Sequence, residues 1–150
     1  IWKALAKKIK KRFKKIDLIL APAMGGVIIG YEIGKLLKKE TIFCERVNGK
    51  FKLRRGFEIK KGSKVLIIED VITTGKSSLE CVKLIKNSNA SLLGFATLID
   101  RSSKKSLKIK KKVISHLKLN VPTYKKNQLP KHLSSVPITT PGSRFIKWNG

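Results

Sequence analysis

Apolar positions along the chain follow two different spacings. Trp2, Leu5, Ala6, Ile9 and Phe13 recur at helical intervals with lysines between them, which predicts an amphipathic helix ending near Lys15. Residues 16–21, Ile-Asp-Leu-Ile-Leu-Ala, read as the first core strand. After Pro22-Ala23-Met24-Gly25-Gly26 the period changes again, and Val27, Ile28, Tyr31, Ile33, Leu36 and Leu37 fit a second helix. Thr41–Glu45 is a short strand. Val65-Leu66-Ile67-Ile68 is an unbroken β-branched and apolar run, the pattern of a strand buried on both faces. From Leu79, with Val82, Leu84 and Ile85, helical spacing returns. Leu92–Ile99 is another buried strand, and a last one lies within Val113–Leu119. Alternating strands and helices imply an α/β fold, with a mostly parallel central sheet, flanking helices and right-handed crossovers. Such a sheet binds ligands at the C-terminal ends of its strands.

Three segments at those ends carry candidate chemistry. Glu69 and Asp70 stand where the central strand should stop, followed by Val71, Ile72, Thr73, Thr74, Gly75, Lys76 and Ser77. A small-residue turn before a helix presents free N–H groups and a favourable dipole to an anion. The hydroxyls of Thr73, Thr74 and Ser77 add donors. Neither a Walker loop nor Gly-x-Gly-x-x-Gly is present. Two carboxylates would repel a phosphate, so they are read as facing the vicinal hydroxyls of a ribose. Ala23, Met24, Gly25 and Gly26 form a second turn, whose glycines allow close backbone approach to a ligand. The third segment, Arg46–Phe57, holds Arg46, Lys50, Lys52, Arg54 and Arg55 around Asn48-Gly49 and Gly56. It reads either as an exposed basic hairpin or as a mobile lid over a leaving pyrophosphate. Arg101 follows the strand that ends at Asp100, as a surface ion pair with that acid or as a ligand of the same rim.

Glu69 to Ser77 resembles the motif that binds 5-phosphoribosyl 1-pyrophosphate (PRPP) in the type I phosphoribosyltransferases. The other segments resemble the orotate phosphoribosyltransferases within them, over about Asp17 to Arg144. The resemblance implies transfer of ribose 5-phosphate from PRPP to orotate, giving orotidine 5′-phosphate and pyrophosphate in UMP biosynthesis. It implies a magnesium ion held mainly by PRPP with no direct protein ligand, and a cytoplasmic homodimer in which the lid of one subunit reaches the other's site. Carried over residue by residue, PRPP falls to Glu69 through Ser77, to Ala23–Gly26, and to Arg46, Lys50 and Lys52. Catalysis falls to Lys50 and Asp70, and orotate to Thr73 and Arg101. Val47 and Lys52-Leu53 depart from the family's usual second Lys and later His-Gly. Thr73 stands where purine enzymes carry an Asp, which argues against a purine; a purine or uracil enzyme, or a PRPP-sensing nucleic-acid regulator on the same fold, are the alternatives. Thr140-Pro141-Gly142-Ser143-Arg144 resembles an ending found in the subgroup. The family's N-terminal segment, which helps to cover orotate, is expected to be missing before Ile1.

Composition adds two expectations. The chain has 150 residues, enough for one domain with a core, read as spanning 1–150 with an irregular tail over 125–150. Cys44 and Cys81 sit in apolar contexts and read as reduced core thiols. No apolar run reaches membrane-spanning length. The formal net charge is +26. Such a charge would ordinarily point to nucleic acid, but the lysines are spread along the whole chain, with no aromatic-basic repeat and no zinc spacing. A solvated lysine surface is the simpler reading, so no nucleic-acid partner is expected. His116 and His132 have no ligand neighbours at metal spacing and read as surface or packing residues.

Overall fold

The structure is a computed structural model that describes residues 1–103, 108–111, 113–122, 124 and 126–139. The chain divides into two compact units, Ile1–Asn120 and Val121–Gly150. In the second unit the regular elements among the described residues are 3₁₀ turns at Lys126–Gln128 and Lys131–Leu133. The Thr140–Arg144 segment lies outside the described residues.

The first unit runs α1 (Trp2–Arg12), β1 (Leu18–Pro22), α2 (Gly25–Leu37), β2 (Glu40–Val47), β3 (Lys50–Leu53), β4 (Lys64–Ile72), α3 (Lys76–Asn87), β5 (Ser91–Asp100) and β6 (Val113–Lys118). Six strands form one sheet in the order β3-β2-β1-β4-β5-β6. Every pairing is parallel except β2 with β3. The expected mostly parallel α/β sheet is therefore present. Two strands are longer than expected. β2 begins at Glu40 and continues to Val47, and β4 continues past both acids to Ile72.

Strand periodicity distributes the core over both faces. Val65 and Ile67 face one cluster, completed by Cys81 and Ile85 of α3 and by Phe95. Leu66 and Ile68 face the other, completed by Leu5, Ala6 and Ile9 of α1 and by Ile29 and Ile33 of α2. The first helix thus packs on the sheet, and Lys8 donates to the carbonyls of Ser115 and His116 on β6 at 2.9 and 3.1 Å. Ile109 is buried in the α3-side cluster, and the Lys108 amide donates to the Thr74 carbonyl at 3.0 Å.

Ile85 is fully buried where α3 meets the sheet. Ile85→Ala should lower unfolding free energy by about 2–5 kcal/mol through lost transfer energy and the cavity left behind. Urea denaturation is the measurement; a change below about 1 kcal/mol would mean that α3 is not anchored by this residue.

Candidate functional site

The site edge is where β1, β4 and β5 deliver their C-terminal ends. On β4 the side chains alternate, so Glu69 and Asp70 point to opposite faces of the sheet. Glu69 follows Val65 and Ile67 toward α3; Asp70 follows Leu66 and Ile68 toward α2. This corrects the expectation that both carboxylates converge on one diol. Sequence reasoning placed both acids beyond the strand, where alternation would not separate them.

Glu69 is buried, and its Oε1 accepts a hydrogen bond from Ser78 Oγ. Desolvation is the largest cause that raises its pKa from 4.5 to about 7; the neighbouring Asp70 and Glu80 charges raise it further, against the opposing Ser78 bond. Its carboxyl therefore fixes the first turn of α3 onto β4 rather than opening to a ligand. Ser78, absent from the candidate residues, is its partner. An apolar-facing Ser one turn into a helix, opposite a strand acid, was the available signal.

Asp70 is half-buried and turned the other way. Its Oδ1 accepts from the Val71 amide at 2.8 Å, and its main-chain carbonyl accepts from Thr97 Oγ1 at 2.8 Å. The carboxylate lies directly against Gly25, and any Cβ there would occupy the same space. The Ala23–Gly26 turn is thereby brought onto the acid of the Glu69–Ser77 segment. Gly25 and Gly26 already belong to the first turn of α2, whose N-terminus has no side-chain cap. The Ala23 amide donates to the Cys44 carbonyl at 2.8 Å, holding this turn beside β2, while Met24 is exposed.

The Thr73–Ser77 turn joins β4 to α3. Thr73, Thr74 and Lys76 are exposed. Gly75 caps α3 in the left-handed region at φ 73°, and no side chain caps the helix. Thr74 Oγ1 accepts from the Lys76 amide at 3.3 Å. Ile72 is buried in the α3-side cluster, so it can offer a ligand only its main chain; the Val71 amide is already committed to Asp70. The Arg101 amide donates to the Ile72 carbonyl at 2.8 Å, which sets Arg101 beside Thr73. The ion pair with Asp100 considered for Arg101 does not form. Asp100 accepts from the Ser102 amide at 2.8 Å and Ser102 Oγ at 2.6 Å, and faces Lys118 at 3.6 Å. The guanidinium of Arg101 is left exposed on the rim.

The basic segment is a β-hairpin. β1 pairs with β2 as far as Pro22 opposite Cys44, and β2 then continues through Val47 into the Asn48-Gly49 turn and β3. The hairpin therefore projects past the end of β1 on the site side. Its arginines are paired with acids of the same chain. Arg46 pairs with Glu80 at 2.6 Å, donates to the Gly49 carbonyl at 2.7 Å and stacks over Phe51 at 4.2 Å. Arg54 and Arg55 approach Glu45 at 3.5 and 3.4 Å. Lys50 and Lys52 alternate outward around the buried Phe51 and are exposed. The structure thus leaves Lys50, Lys52, Lys76 and Arg101 as open cations around the rim.

Behind this edge, the Cys44 and Cys81 thiols are free, buried and 3.4 Å apart. Their mutual hydrogen bond and burial push the Cys81 thiol pKa up, so both read as packed core groups.

Residues 1–134 match the family model described as a phosphoribosyl transferase domain. A protein of Parvibaculum lavamentivorans named orotate phosphoribosyltransferase is 45% identical over 147 residues, covering 97% of this chain and 75% of its own length. The fold is similar to that of the adenine phosphoribosyltransferase of Thermoanaerobacter pseudethanolicus, at TM-score 0.67 and 20% identity, covering 79% of this chain and 77% of the other. It is also similar to the orotate phosphoribosyltransferase of Aeropyrum pernix, at TM-score 0.62 and 16% identity over 79% and 69% of the two chains.

Burial of Glu69 predicts a pH dependence of stability. A carboxyl whose folded pKa is raised binds more protons folded than unfolded between 4.5 and about 7, so its contribution is present below 4.5 and is lost as pH rises to about 7. That interval is worth about 3 kcal/mol at most. Glu69→Gln should therefore match the parent in thermal stability at low pH and exceed it above neutrality. Parallel melting curves for the two proteins across the interval would dismiss the buried-acid assignment.

Proposed function

The chain belongs to the orotate phosphoribosyltransferase family, and we propose that PRPP lies across the junction of Gly25 with Asp70. The family's reaction joins orotate to PRPP, releasing pyrophosphate and forming orotidine 5′-phosphate. The observation that carries the assignment of groups is the packing of the Asp70 carboxylate on Gly25. It sets a glycine turn, an acid and an uncapped helix N-terminus side by side.

In this reading the 5-phosphate sits on the Thr73–Ser77 turn at the N-terminus of α3. Asp70 alone accepts from the ribose hydroxyls. The pyrophosphate lies along Ala23–Gly26, within reach of the hairpin. Magnesium would be held mainly by the oxygens of PRPP and by water, a hard cation's usual partners, with Asp70 beside it as the ribose acceptor and not as a ligand. When bound, the ion supplies charge neutralisation at the departing pyrophosphate. The chain's own part is positioning and electrostatics. Thr73 and Arg101 hold orotate, the guanidinium pairing with its carboxylate. Lys50 meets the charge that grows on the leaving group as the ribosyl carbon becomes cationic. Arg46 must exchange Glu80 for pyrophosphate if it takes part, whereas Lys50 has no such partner to leave.

The chain is read as a homodimer, because Met24, Ile28 and Tyr31 expose an apolar strip at the start of α2. Cytoplasmic placement agrees with the free thiols. Among the described residues no helix is long and apolar enough to cross a membrane.

PRPP-dependent loss of orotate, followed by absorbance, is the direct test. Arg101→Ala should raise the KM for orotate far more than that for PRPP; an equal rise in both would remove Arg101 from the base site. Lys50→Ala should lower kcat by about 10²–10³ with PRPP affinity nearly unchanged, as expected for a group that acts mainly in the transition state. Normal turnover by this variant would make the hairpin a solvated element and place the catalytic cation elsewhere.

A further inference from the structure

The lysines that seem evenly scattered in the sequence are gathered by the topology. Parallel strands all begin at one edge of a sheet, and here that edge is the one opposite the PRPP cradle. β1 is entered after Lys14-Lys15, β2 after Lys38-Lys39, and β4 after Lys60-Lys61. All six are exposed. β2, β1 and β4 are consecutive in the sheet, so the three pairs lie in neighbouring loops at one edge of it. Lys110, also exposed, extends the row at the entry to β6.

The counter-charge lies elsewhere. The four ion pairs among the described residues, Arg46–Glu80, Arg54–Glu45, Arg55–Glu45 and Lys118–Asp100, all sit at or near the substrate edge. None involves a lysine of the entry row. Asp17, the acid closest in sequence to Lys14-Lys15, has its Oδ2 engaged by the Lys64 amide at 2.8 Å. Glu40 and Glu58 are the other acids of these entry segments; both are exposed and form none of those four pairs. Like charges gathered on one edge repel, and a bound polyanion relieves that repulsion while releasing its counterions.

We infer that the strand-entry edge, formed by Lys14-Lys15, Lys38-Lys39 and Lys60-Lys61, is a binding surface for the phosphate backbone of duplex nucleic acid. The surface holds no exposed large apolar side chain. Ile16 and Ile59 are buried, and the exposed large hydrophobics lie in other segments. That disfavours a lipid surface, where an apolar face is normally inserted. It also lacks an aromatic platform on which single-stranded bases could stack. What remains is a set of exposed cations along one sheet edge, suited to phosphates and indifferent to sequence. Because the cradle lies at the other end of the strands, nucleic acid and PRPP bind together.

The test is fluorescence anisotropy of a short labelled RNA duplex with the whole chain, across a salt series. The probe should bind with affinity that falls steeply with salt, and saturating PRPP should leave binding unchanged. Lys38→Gln/Lys39→Gln/Lys60→Gln/Lys61→Gln should weaken binding at least tenfold and flatten the salt slope by about 3–4. The variant's orotate turnover should be unaltered, which shows that it is folded. A control of equal charge, Lys3→Gln/Lys7→Gln/Lys10→Gln/Lys11→Gln on the exposed side of α1, should bind as the parent does. Equal weakening by both variants would overturn the inference, because net charge and not the row would then be responsible. Displacement by PRPP would overturn it by moving the contact to the cradle. Tighter, row-dependent binding to vesicles containing anionic lipid than to the duplex would overturn the choice of partner.

Discussion

A residue on a central strand has two faces available, and β4 assigns one acid to each. The constraint follows from the pleat alone, yet it organises the whole substrate edge. Glu69 goes to the α3 side, where its bond to Ser78 fixes the first turn of that helix. Asp70 goes to the α2 side, where it packs on Gly25. One dipeptide therefore joins two turns that are far apart in sequence. If both acids lay beyond the strand, neither turn would be held to β4 in this way, and the cradle would depend on loop geometry.

The same division separates positioning from chemistry. Glu69 is a carboxyl whose pKa burial raises to about 7, committed to Ser78 and serviceable as an anchor in a dry place. Asp70 keeps Oδ1 on the Val71 amide and packs Oδ2 against Gly25. The hairpin repeats the pattern with cations. Arg46, Arg54 and Arg55 are committed to Glu80 and Glu45, while Lys50 and Lys52 are not. Arginine's rigid, delocalised fork suits fixed pairs, and lysine's flexible point charge suits a group that must meet charge as it forms.

The sequence made most of the fold legible because its periodicities are clean. β4, β5, α2 and α3 are each a long run of one spacing, and the turns between them carry glycine or small polar residues. The misreadings share one cause: each depended on where a strand ended. β4 runs through Ile72 because Val71 and Ile72 pair with Ile99 and Asp100, a tertiary fact that no local pattern displays. The pairing of Arg46 with Glu80, thirty-four positions away in the numbering, was hidden for the same reason. Arg101 stood in the right place in the sequence, but which neighbour held Asp100 was decided by Ser102 and Lys118.

Parallel topology also explains why two unlike cationic edges can coexist on one small sheet. The C-terminal strand ends offer N–H groups and a few aimed cations within a scaffold of paired charges, which is the condition for recognising one small ligand closely. The N-terminal strand ends offer lysine pairs that form none of the ion pairs among the described residues, which is the condition for holding a long polyanion loosely. Both edges are generated by the same set of parallel strands, but the side chains placed there differ in commitment. Net charge of +26 therefore describes neither surface. What distinguishes them is how many of their cations already have an acid of their own chain.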